Sequence, residues 1–463
     1  MKYRKYLASI LSVFLISLSL FQPMAEAAST PEVPPEGIVQ TAPSVPGNAI
    51  FPQPFDVSAE AVYFVSLDTG LVMYAKDEEQ LWPPASLTKM MTAILVMDYV
   101  EDLDGTQVAM PRYVQDILYG TGSSTADIRP GETLSVRQLL YALMLPSANE
   151  ASLILADYVG GGNVNNFVFM MNAKAEEIGC TNTNFTNPHG LYDAAQYTTA
   201  YDQYLIAKYL YDNYPELMEI VCTNTYELSE NARYPNGWII INTNKMQMTA
   251  FREAGIYRAY IKGIKTGSLP ESGHNFASSA ELGGERYMMI VLGASGNNYS
   301  AFEVTAQLYD WAFYNFSLKP SLDTAQPVAE VPVRYSSATD TVLLYPEENF
   351  LAILPNESDE TTLRRVYNLP ENTPAPIHEG DRIGTVTLYL AGQEIGTVNL
   401  IARTEIKRNF AMFVVAKTLE FASSLYFRVV LILAAMLVGA YVYYLHRIAK
   451  RDEEMQKIKR RKK

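Results

Sequence analysis

The spacing of apolar residues changes twice along this 463-residue chain, and the changes predict how it is organised. Short apolar runs flank the turn Asp68-Thr-Gly70, which predicts a β-hairpin soon after Ser58. Apolar residues then follow helical spacing in the segments 87–99, 135–144, 150–159, 165–178 and 200–211. Strand patterns return at 238–242, 260–265, 275–281 and 286–294, before a last helix at 304–316. This order predicts an α+β or α/β/α layered domain over residues 57–319.

The pattern of apolar and polar residues changes after Lys319. Short alternating runs separated by Pro, Gly, Asn and Asp follow at 328–335, 341–345, 351–354, 385–391 and 393–402. Such runs predict a small antiparallel β domain over residues 325–403, of the kind that forms sandwiches. This second domain contains no cluster of catalytic residue types.

The N-terminus has the features of an export signal. A basic start precedes an apolar stretch over residues 7–21, and Ala25-Glu26-Ala27 has the small-x-small pattern of a cleavage site. We expect a signal peptide at 1–27. An uncleaved anchor is the alternative, although the apolar stretch is short for a membrane span. Residues 28–56 are rich in proline and have little periodicity, which predicts an extended linker.

A second membrane signal lies near the C-terminus. The uncharged apolar segment 429–445 predicts a transmembrane helix close to the lower length limit, and a buried core helix is the alternative. The tail 446–463 is strongly basic, so we expect it in the cytoplasm and the body on the extracytoplasmic side of the cell membrane, in a single-pass arrangement. Residues 407–428 predict an amphipathic juxtamembrane helix, with a continuous helix packed on the body as the alternative.

Composition narrows the function. The net charge is −14, and basic residues concentrate at the two ends, so the body is more acidic than the total and nucleic acid is not an expected partner. Two cysteines exclude a disulfide-rich scaffold and a zinc ribbon, but leave open whether Cys180 and Cys222 pair. Four histidines without metal-binding spacing give no case for a metal, and we expect no cofactor.

Ser86 and Lys89 are the first candidates for chemistry. Positions i and i+3 share one face of a helix, so the hydroxyl and the amine can meet. A serine becomes an effective nucleophile when a neighbouring base takes its proton, and a lysine can be that base when burial or nearby cations lower its pKa. The spacing therefore suggests covalent acyl transfer. An ordinary helical turn with an exposed lysine is the alternative.

Two further motifs follow in a fitting context. Ser147-Ala-Asn149 lies in a turn between two predicted helices, and Lys265-Thr-Gly267 lies at the end of a predicted strand. Each alone could be a turn, a cap or a strand end. The three motifs in this order favour a single acyl-transfer site.

With these motifs the chain resembles the serine D-alanyl-D-alanine carboxypeptidases, the low-molecular-mass penicillin-binding proteins. The resemblance covers about residues 57–402. It is also carried by Asp68-Thr-Gly70, Arg129-Pro-Gly-Glu132, Asn187-Pro-His-Gly-Leu191, Thr199-Ala-Tyr-Asp202 and, in the β domain, Gly380-Asp-Arg-Ile-Gly384. It implies the penicillin-binding and β-lactamase-like transpeptidase fold: an antiparallel sheet with helices on both faces and a helical subdomain, followed by a small all-β domain. The C-terminal transmembrane helix predicted at 429–445 departs from many relatives, which have an amphipathic helix alone.

The resemblance also implies catalytic roles. Ser86 would attack the penultimate D-alanine carbonyl of a peptidoglycan stem pentapeptide, with Lys89 as its base. Ser147 would relay a proton to the departing D-alanine. Asn149 would orient the substrate amide and help to hold Lys89. The partners implied are stem peptides, β-lactam antibiotics as inhibitors, and the cytoplasmic membrane.

Substrate contacts are implied on the third motif. Lys265 would add positive field, Thr266 would bind the terminal carboxylate, and Gly267 would leave room for the substrate strand. The backbone N–H groups of Ser86 and Ser268 would form an oxyanion hole. Several relatives carry an aromatic residue or histidine where this chain has Ser268, which leaves the contacts there open.

Alternative functions use similar residues. A serine β-lactamase would need a deacylating acid before the third motif, and residues 181–199 contain no glutamate. A non-catalytic penicillin-binding sensor or scaffold is disfavoured by the intact Ser86–Lys89 pair. An endopeptidase that cuts D-alanyl crosslinks could use the same site. For His189 we expect a structural role, a hydrogen bond to Asp202 that holds the loop.

Overall fold

The computed structural model describes residues 51, 55–231, 233–358 and 362–461. The signal peptide expected at 1–27 lies outside the described residues, as does nearly all of the linker expected at 28–56.

The first part of the molecule alternates strands and helices. Its strands are β1 (Ala61–Ser66), β2 (Val72–Lys76), β3 (Gln107–Ala109), β4 (Thr133–Ser135), β5 (Thr225–Leu228), β6 (Trp238–Ile241), β7 (Ile261–Leu269), β8 (Gly273–Leu282) and β9 (Glu285–Ala294). Its helices are α1 (Thr88–Tyr99), α2 (Arg112–Leu118), α3 (Val136–Met144), α4 (Asn149–Val159), α5 (Val164–Ile178), α6 (Ala200–Asn213), α7 (Pro215–Val221) and α8 (Ser300–Asn315).

The second part is built mainly of strands. They are β10 (Phe316–Leu322), β11 (Ala329–Arg334), β12 (Thr341–Pro346), β13 (Phe350–Pro355), β14 (Leu363–Asn368), β15 (Thr373–Pro374), β16 (Arg382–Leu390) and β17 (Gln393–Ala402). Two helices follow, α9 (Phe410–Ser423) and α10 (Leu425–Arg461).

A central antiparallel sheet in the order β2-β1-β9-β8-β7 organises the first part. Successive side chains of a strand point to opposite faces. Accordingly Tyr63 and Val65 of β1 join one core with α6 and the helical block, whereas Phe64 joins the other core with Phe302 and Tyr309 of α8. The sheet therefore has helices on both faces, and β7 is left at its edge.

The helical block surrounds α1. Thr88 to Val96 of this helix are all buried, Lys89 among them, and the same core takes in apolar residues of α3, α4, α5 and α6. Ser135 caps α3 through a reciprocal capping box with Gln138, which fixes where the helix begins. The packing therefore holds a lysine at the centre of an apolar block.

The fold predicted by resemblance is confirmed, but some elements differ from the sequence pattern. β7 continues through Lys265-Thr-Gly267 to Leu269, so the motif lies inside a strand rather than at its end. The short helices α2 and α7 have no counterpart in the prediction, because seven residues carry too little periodicity. The last helix of the domain begins earlier than expected, at Ser300.

The second part contains a sheet in the order β14-β16-β17-β12-β11-β15 and a separate pair of β10 with β13. The predicted small antiparallel β domain is therefore present, with one short parallel pairing between β11 and β15. β10 begins at Phe316 and runs to Leu322, across the expected boundary between the domains.

The two C-terminal helices are separated by Ser424, which has an extended backbone. α9 contacts the β domain at one place, where Phe413 meets the Tyr335 ring edge-on at 5.3 Å and Arg334 pairs with Glu420 at 2.8 Å. The juxtamembrane segment is thus not one continuous helix with the span. In α10, residues Leu425–Lys457 are long and apolar enough to cross a membrane by length and composition.

The two cysteines are free in the structure. Cys180 is buried, and its thiol lies 3.6 Å from the carbonyl oxygen of Asp202, whereas Cys222 is exposed. Cys180 and Cys222, whose pairing the sequence leaves open, are therefore two separate thiols in the structure.

Candidate active site

Ser86 lies in a tight 3₁₀ turn, Ala85–Leu87, that leads directly into α1. Lys89 is in the first turn of that helix, and its Nζ lies 3.0 Å from Ser86 Oγ. The expected pairing of hydroxyl and amine is therefore present, although the serine sits just before the helix rather than in it. Ala85 has a left-handed backbone (φ 49°), a strained conformation of the kind that concentrates at functional sites.

Lys89 is fully buried, and the groups around its Nζ determine whether it can act as a base. Its Nζ donates a hydrogen bond to the carbonyl oxygen of His189 at 2.5 Å. Burial, followed by repulsion from Lys265, holds the pKa of Lys89 well below its usual range, and the Glu150 carboxylate opposes the shift. A neutral amine beside a serine hydroxyl can act as a general base.

The loop 187–191 supplies that carbonyl and is held by its own short contacts. Asn187 Oδ1 accepts from Gly190 N–H at 2.7 Å, and Thr92 donates to the carbonyl of Pro188 at 2.7 Å. Gly190 has φ 91°, and a Cβ there would stand 2.0 Å from the carbonyl oxygen of Ala85. Only glycine therefore allows the loop to approach the turn that carries Ser86.

The ring of His189 helps to hold its loop, as expected, but with a different partner. Its Nδ1 accepts from Leu191 N–H at 3.1 Å, and burial and the nearby Lys89 lower its pKa to about 3, so the ring is neutral. Asp202 instead accepts from Asn182 N–H at 2.8 Å and Thr183 Oγ1 at 2.7 Å. The expected bond between His189 and Asp202 is wrong, because the 187–191 loop closes on itself while Asp202 faces residues 182 and 183.

The second motif forms the turn between α3 and α4. Ser147 has a left-handed backbone (φ 64°), and its Oγ is buried without a hydrogen-bond partner among the described residues. Asn149 is buried, and its N–H donates to the carbonyl of Ser124 at 3.0 Å. An unpaired buried hydroxyl is costly in a folded protein, which suits a group that acquires its partner from substrate.

The third motif lies on edge strand β7. Lys265 is buried, and burial lowers its pKa to about 7. Thr266 Oγ1 lies 2.6 Å from Thr243 Oγ1, and Thr243 N–H donates to the carbonyl of Leu145, next to the second motif. A Cβ on Gly267 would stand 3.1 Å from the backbone nitrogen of Ser86, so the glycine permits this close approach. The three motifs are therefore brought together around Ser86.

Ser268 lies at the exposed end of this arrangement. It pairs with His274 in the ladder between β7 and β8, and its Oγ is 3.1 Å from His274 Nδ1. Its side chain is therefore engaged with the neighbouring strand.

Two residues that hold the site together were missed from the sequence. Thr243 links the third motif to the second, as described above. Asn275 of β8 donates to the carbonyls of Pro83 and Pro84 at 3.0 and 3.2 Å, and its Oδ1 accepts from Gly293 N–H at 2.9 Å. It thereby ties the turn bearing Ser86 to the sheet. Neither residue stands in a recognisable motif, so no sequence signal marked them.

Within the described residues there is no group of three or more His, Cys, Asp or Glu side chains that could hold a metal ion. The chemistry available at the site is that of the serine, the two buried lysines and the polar groups around them.

Comparison with known proteins agrees with this geometry. The family model described as D-alanyl-D-alanine carboxypeptidase (Peptidase S11) matches residues 48–296, which include all three motifs. The chain belongs to the D-alanyl-D-alanine carboxypeptidase family. A second model, the C-terminal domain of penicillin-binding protein 5, matches residues 316–408.

Individual relatives match over most of their length. The D-alanyl-D-alanine carboxypeptidase DacF of Bacillus subtilis is 30% identical over 354 residues, covering 76% of this chain and 86% of the relative. The crystal structure of penicillin-binding protein 5 from Haemophilus influenzae is 26% identical, with a TM-score of 0.61, and covers 77% of this chain and 100% of that one. Penicillin-binding protein 6B of Escherichia coli is similar, with a TM-score of 0.59, 26% identity and coverage of 76% and 97%. The family membership thus extends over both domains.

Proposed function

We propose that this protein is a serine D-alanyl-D-alanine carboxypeptidase that removes the terminal D-alanine from peptidoglycan stem pentapeptides through an acyl-enzyme. One observation carries the proposal: the Nζ of a fully buried lysine, Lys89, lies 3.0 Å from the hydroxyl of Ser86. Burial and the nearby Lys265 hold the pKa of Lys89 well below its usual range, which favours the neutral amine that can accept the serine proton.

Acylation begins with Ser86. Its Oγ attacks the carbonyl carbon of the penultimate D-alanine while its proton passes to Lys89 Nζ. Negative charge develops on the former carbonyl oxygen, and the backbone N–H groups of Ser86 and Ser268 stabilise it. This role fits the position of Ser268 on edge strand β7, beside Gly267, where the strand approaches Ser86.

Collapse of the tetrahedral intermediate breaks the C–N bond to the terminal D-alanine. The departing nitrogen needs a proton, which Ser147 donates and then recovers from the Lys89 ammonium. Its hydroxyl is buried without a partner among the described residues, so it is free to make this contact. Water then attacks the ester carbon, and Lys89, neutral again, takes a proton from that water. As the bond between this carbon and Ser86 Oγ breaks, the Lys89 ammonium returns the proton to Ser86 Oγ, which restores the serine and releases the shortened peptide with a free carboxyl group. Asn149 orients the amide of the acyl portion.

Binding of the substrate uses the exposed edge of β7. An extended peptide can add to a free strand edge through main-chain hydrogen bonds. Thr266 binds the terminal carboxylate of the substrate, and Lys265 adds positive field beside it. β-Lactams mimic this acyl donor and are expected to acylate Ser86.

The location follows from the two ends of the chain. A signal peptide at 1–27, a span at 429–445 and a basic tail at 446–463 together support a single-pass protein whose active site lies on the extracytoplasmic side. This side is where peptidoglycan is found, so substrate and enzyme would meet there.

The test measures D-alanine released from a pentapeptide ending in D-Ala-D-Ala, with the wild type and with Ser86→Ala. Release by the wild type and none by the variant is the expected result. A wild type that forms a penicillin adduct but releases no D-alanine would instead be a penicillin-binding sensor. Absence of any penicillin adduct on Ser86 would contradict the proposed mechanism altogether.

A further inference from the structure

Glu150 is a buried carboxylate beside the active site to which no role in the reaction has been given. It directly follows Asn149, lies in the first turn of α4 and is 3% exposed. A buried carboxylate is costly unless hydrogen bonds satisfy it, so its retention here calls for a physical reason. Burial raises its pKa, while the bonds it accepts oppose that shift.

One oxygen of Glu150 accepts a cluster of bonds from a single loop. Oε1 receives the Thr125 hydroxyl at 2.6 Å, the N–H of Ala126 at 2.7 Å and the N–H of Ile128 at 3.4 Å. The other oxygen, Oε2, is buried without a partner among the described residues. The hydrogen bonds that this carboxylate accepts from other described residues therefore come from the loop 124–128.

The same loop holds the second motif. The carbonyl of Ser124 accepts from Asn149 N–H at 3.0 Å, so this loop supplies an acceptor for the first residue of α4. Ser147, two residues before Asn149, has a left-handed backbone, and its hydroxyl has no hydrogen-bond partner in the part of the chain that the structure describes. The loop thus contacts the second motif through Ser124 and is attached to the same helix through Glu150, beside the bond from Ala148 N–H to the carbonyl of Ala142 that also holds this turn.

On its other side the loop is tied to the hairpin of β5 and β6. Asp127 accepts from the Tyr234 hydroxyl at 2.5 Å and pairs with Arg233 at 2.6 Å. Trp238 donates to the carbonyl of Ala126 at 2.8 Å. The loop therefore bridges the helical block and the hairpin that leads to Thr243, and on the helical side Glu150 provides the side-chain attachment beside the backbone bond from Asn149.

We propose that Glu150 is a positioning residue for the acylation step, which holds the loop 124–128 and through it sets Ser147 and Asn149 against the substrate. The inference rests on the proposed function, because it concerns the same site. Its effect on rate comes from geometry: positioned groups lose much of their benefit when displaced by about 1 Å.

The experiment compares variants of the full chain by their second-order rate of acylation with a fluorescent penicillin. Glu150→Gln keeps an oxygen that can accept the three bonds, whereas Glu150→Leu removes it at similar volume. We expect Glu150→Leu to acylate about 10- to 100-fold more slowly than the wild type. The acylation rate of Glu150→Gln should stay within about three-fold of the wild-type rate, because the amide oxygen still accepts the loop's hydrogen bonds and only weakens them.

A matched control and a backup variant keep the result interpretable. Glu303 is an exposed acid in the first turn of α8, and Glu303→Leu should leave the rate unchanged. Thermal unfolding of each variant checks that it is folded. Should Glu150→Leu fail to fold, Thr125→Val removes one donor at an exposed position and should slow acylation by a few-fold.

Two results would overturn the inference: a folded Glu150→Leu, or Thr125→Val in its place, that acylates at the wild-type rate, or a Glu150→Gln as slow as the leucine variant. The second would show that charge matters and not the acceptor for the loop. Because the rate is measured with penicillin, it can be read even if the wild type releases no D-alanine. Failure of the proposed function and failure of this inference are therefore separate outcomes.

Discussion

The carbonyl oxygen of His189 accepts a hydrogen bond from Lys89 Nζ at 2.5 Å, on the same nitrogen that lies 3.0 Å from Ser86 Oγ. A neutral lysine amine has two N–H bonds and one lone pair. When one N–H is directed at a fixed carbonyl, fewer orientations remain, and the lone pair can face the serine. The loop 187–191 thus orients the proposed base through its backbone, and the imidazole of His189 serves to shape the loop.

The approach of this loop to Ser86 yields the first prediction. Gly190→Ala would place a Cβ 2.0 Å from the carbonyl oxygen of Ala85, so the loop must retreat and carry the His189 carbonyl away from Lys89. We expect acylation by penicillin to fall roughly 100-fold, as for other displaced catalytic groups. The rate of adduct formation on Ser86 measures this.

A control separates the clash from backbone strain. Gly179 also has a left-handed backbone (φ 96°), but a Cβ there has nothing within 4 Å. Gly179→Ala should lose some stability from strain yet acylate as fast as the wild type. Equal rates for Gly190→Ala and the wild type would show that the loop is not needed where it lies.

The second prediction concerns pH. Lys89 is a base only when deprotonated, so acylation should fall on the acid side as Lys89 gains its proton. Lys265 lowers the pKa of Lys89 and Glu150 raises it, while neutral His189 contributes no charge at neutral pH. Lys265→Met removes the repulsion, so the pKa of Lys89 should rise and the acid limb should move to higher pH.

The measurement is the pH profile of the penicillin acylation rate for the wild type and Lys265→Met. The readout is the pH at which the acid limb of the profile falls, and not the maximal rate on the plateau, because Lys265 is also expected to contact the substrate and its loss can lower that rate. A limb that moves to lower pH, or stays where it was, would contradict the assignment of Lys89 as base.

The third prediction is that Lys265→Met should increase the stability of the folded protein, although it should decrease acylation activity. Burial lowers the pKa of Lys265 from 10.5 to about 7 in the folded protein, so between these values the unfolded chain binds more protons and stability rises with pH. The buried lysine therefore costs stability most at or below about pH 7, and the cost disappears towards pH 10.5. Lys265→Met should stabilise the protein by about 0.5–2 kcal/mol near neutral pH.

Denaturant unfolding at several pH values tests this. The gap between Lys265→Met and the wild type should shrink as the pH rises. Lys262→Met, on the same strand but exposed, should change little at any pH and serves as the matched control. A gap independent of pH would mean that packing and not protonation sets the difference.

How much could be read from the sequence differs between the parts of the site. Ser86, Lys89, Ser147 and the Lys265 motif could be proposed from the sequence because each motif has local spacing and the three occur in a characteristic order. What could not be read is how distant segments meet. The bond between Lys89 and the His189 carbonyl joins residues a hundred positions apart, and a backbone acceptor has no side chain that a sequence can reveal.

The fold shows the same division. Long periodic helices such as α5 and the strands β8 and β9 lie where the patterns predicted them. The seven-residue helices α2 and α7 and the short strands β3, β4, β5 and β15 were not predicted, because so few residues carry little periodicity. The continuation of β7 past Lys265 was missed because Gly267 and Ser268 are poor strand formers, and the ladder to β8 holds them in place.

The final prediction concerns attachment to the membrane. α10 carries exposed Leu433 and Leu437 within its apolar portion. A soluble protein rarely exposes an apolar surface of this extent to water, so we expect this part of the helix to lie in a membrane. An arginine at the centre of a spanning helix costs about 2.5–3.5 kcal/mol on insertion scales. Replacing both leucines by arginine should therefore release much of the protein from membranes, as measured by alkaline extraction and sedimentation.

The matched control lies on the same helix, beyond the uncharged apolar segment 429–445. Met455 is exposed in the charged tail, so Met455→Arg should leave membrane retention unchanged. If the doubly substituted chain stayed fully in the membrane fraction, α10 would not be the main anchor. The exposed apolar residues of α9, such as Phe410 and Leu419, would then be the segment to substitute, because they precede the span and could hold the protein at the membrane surface.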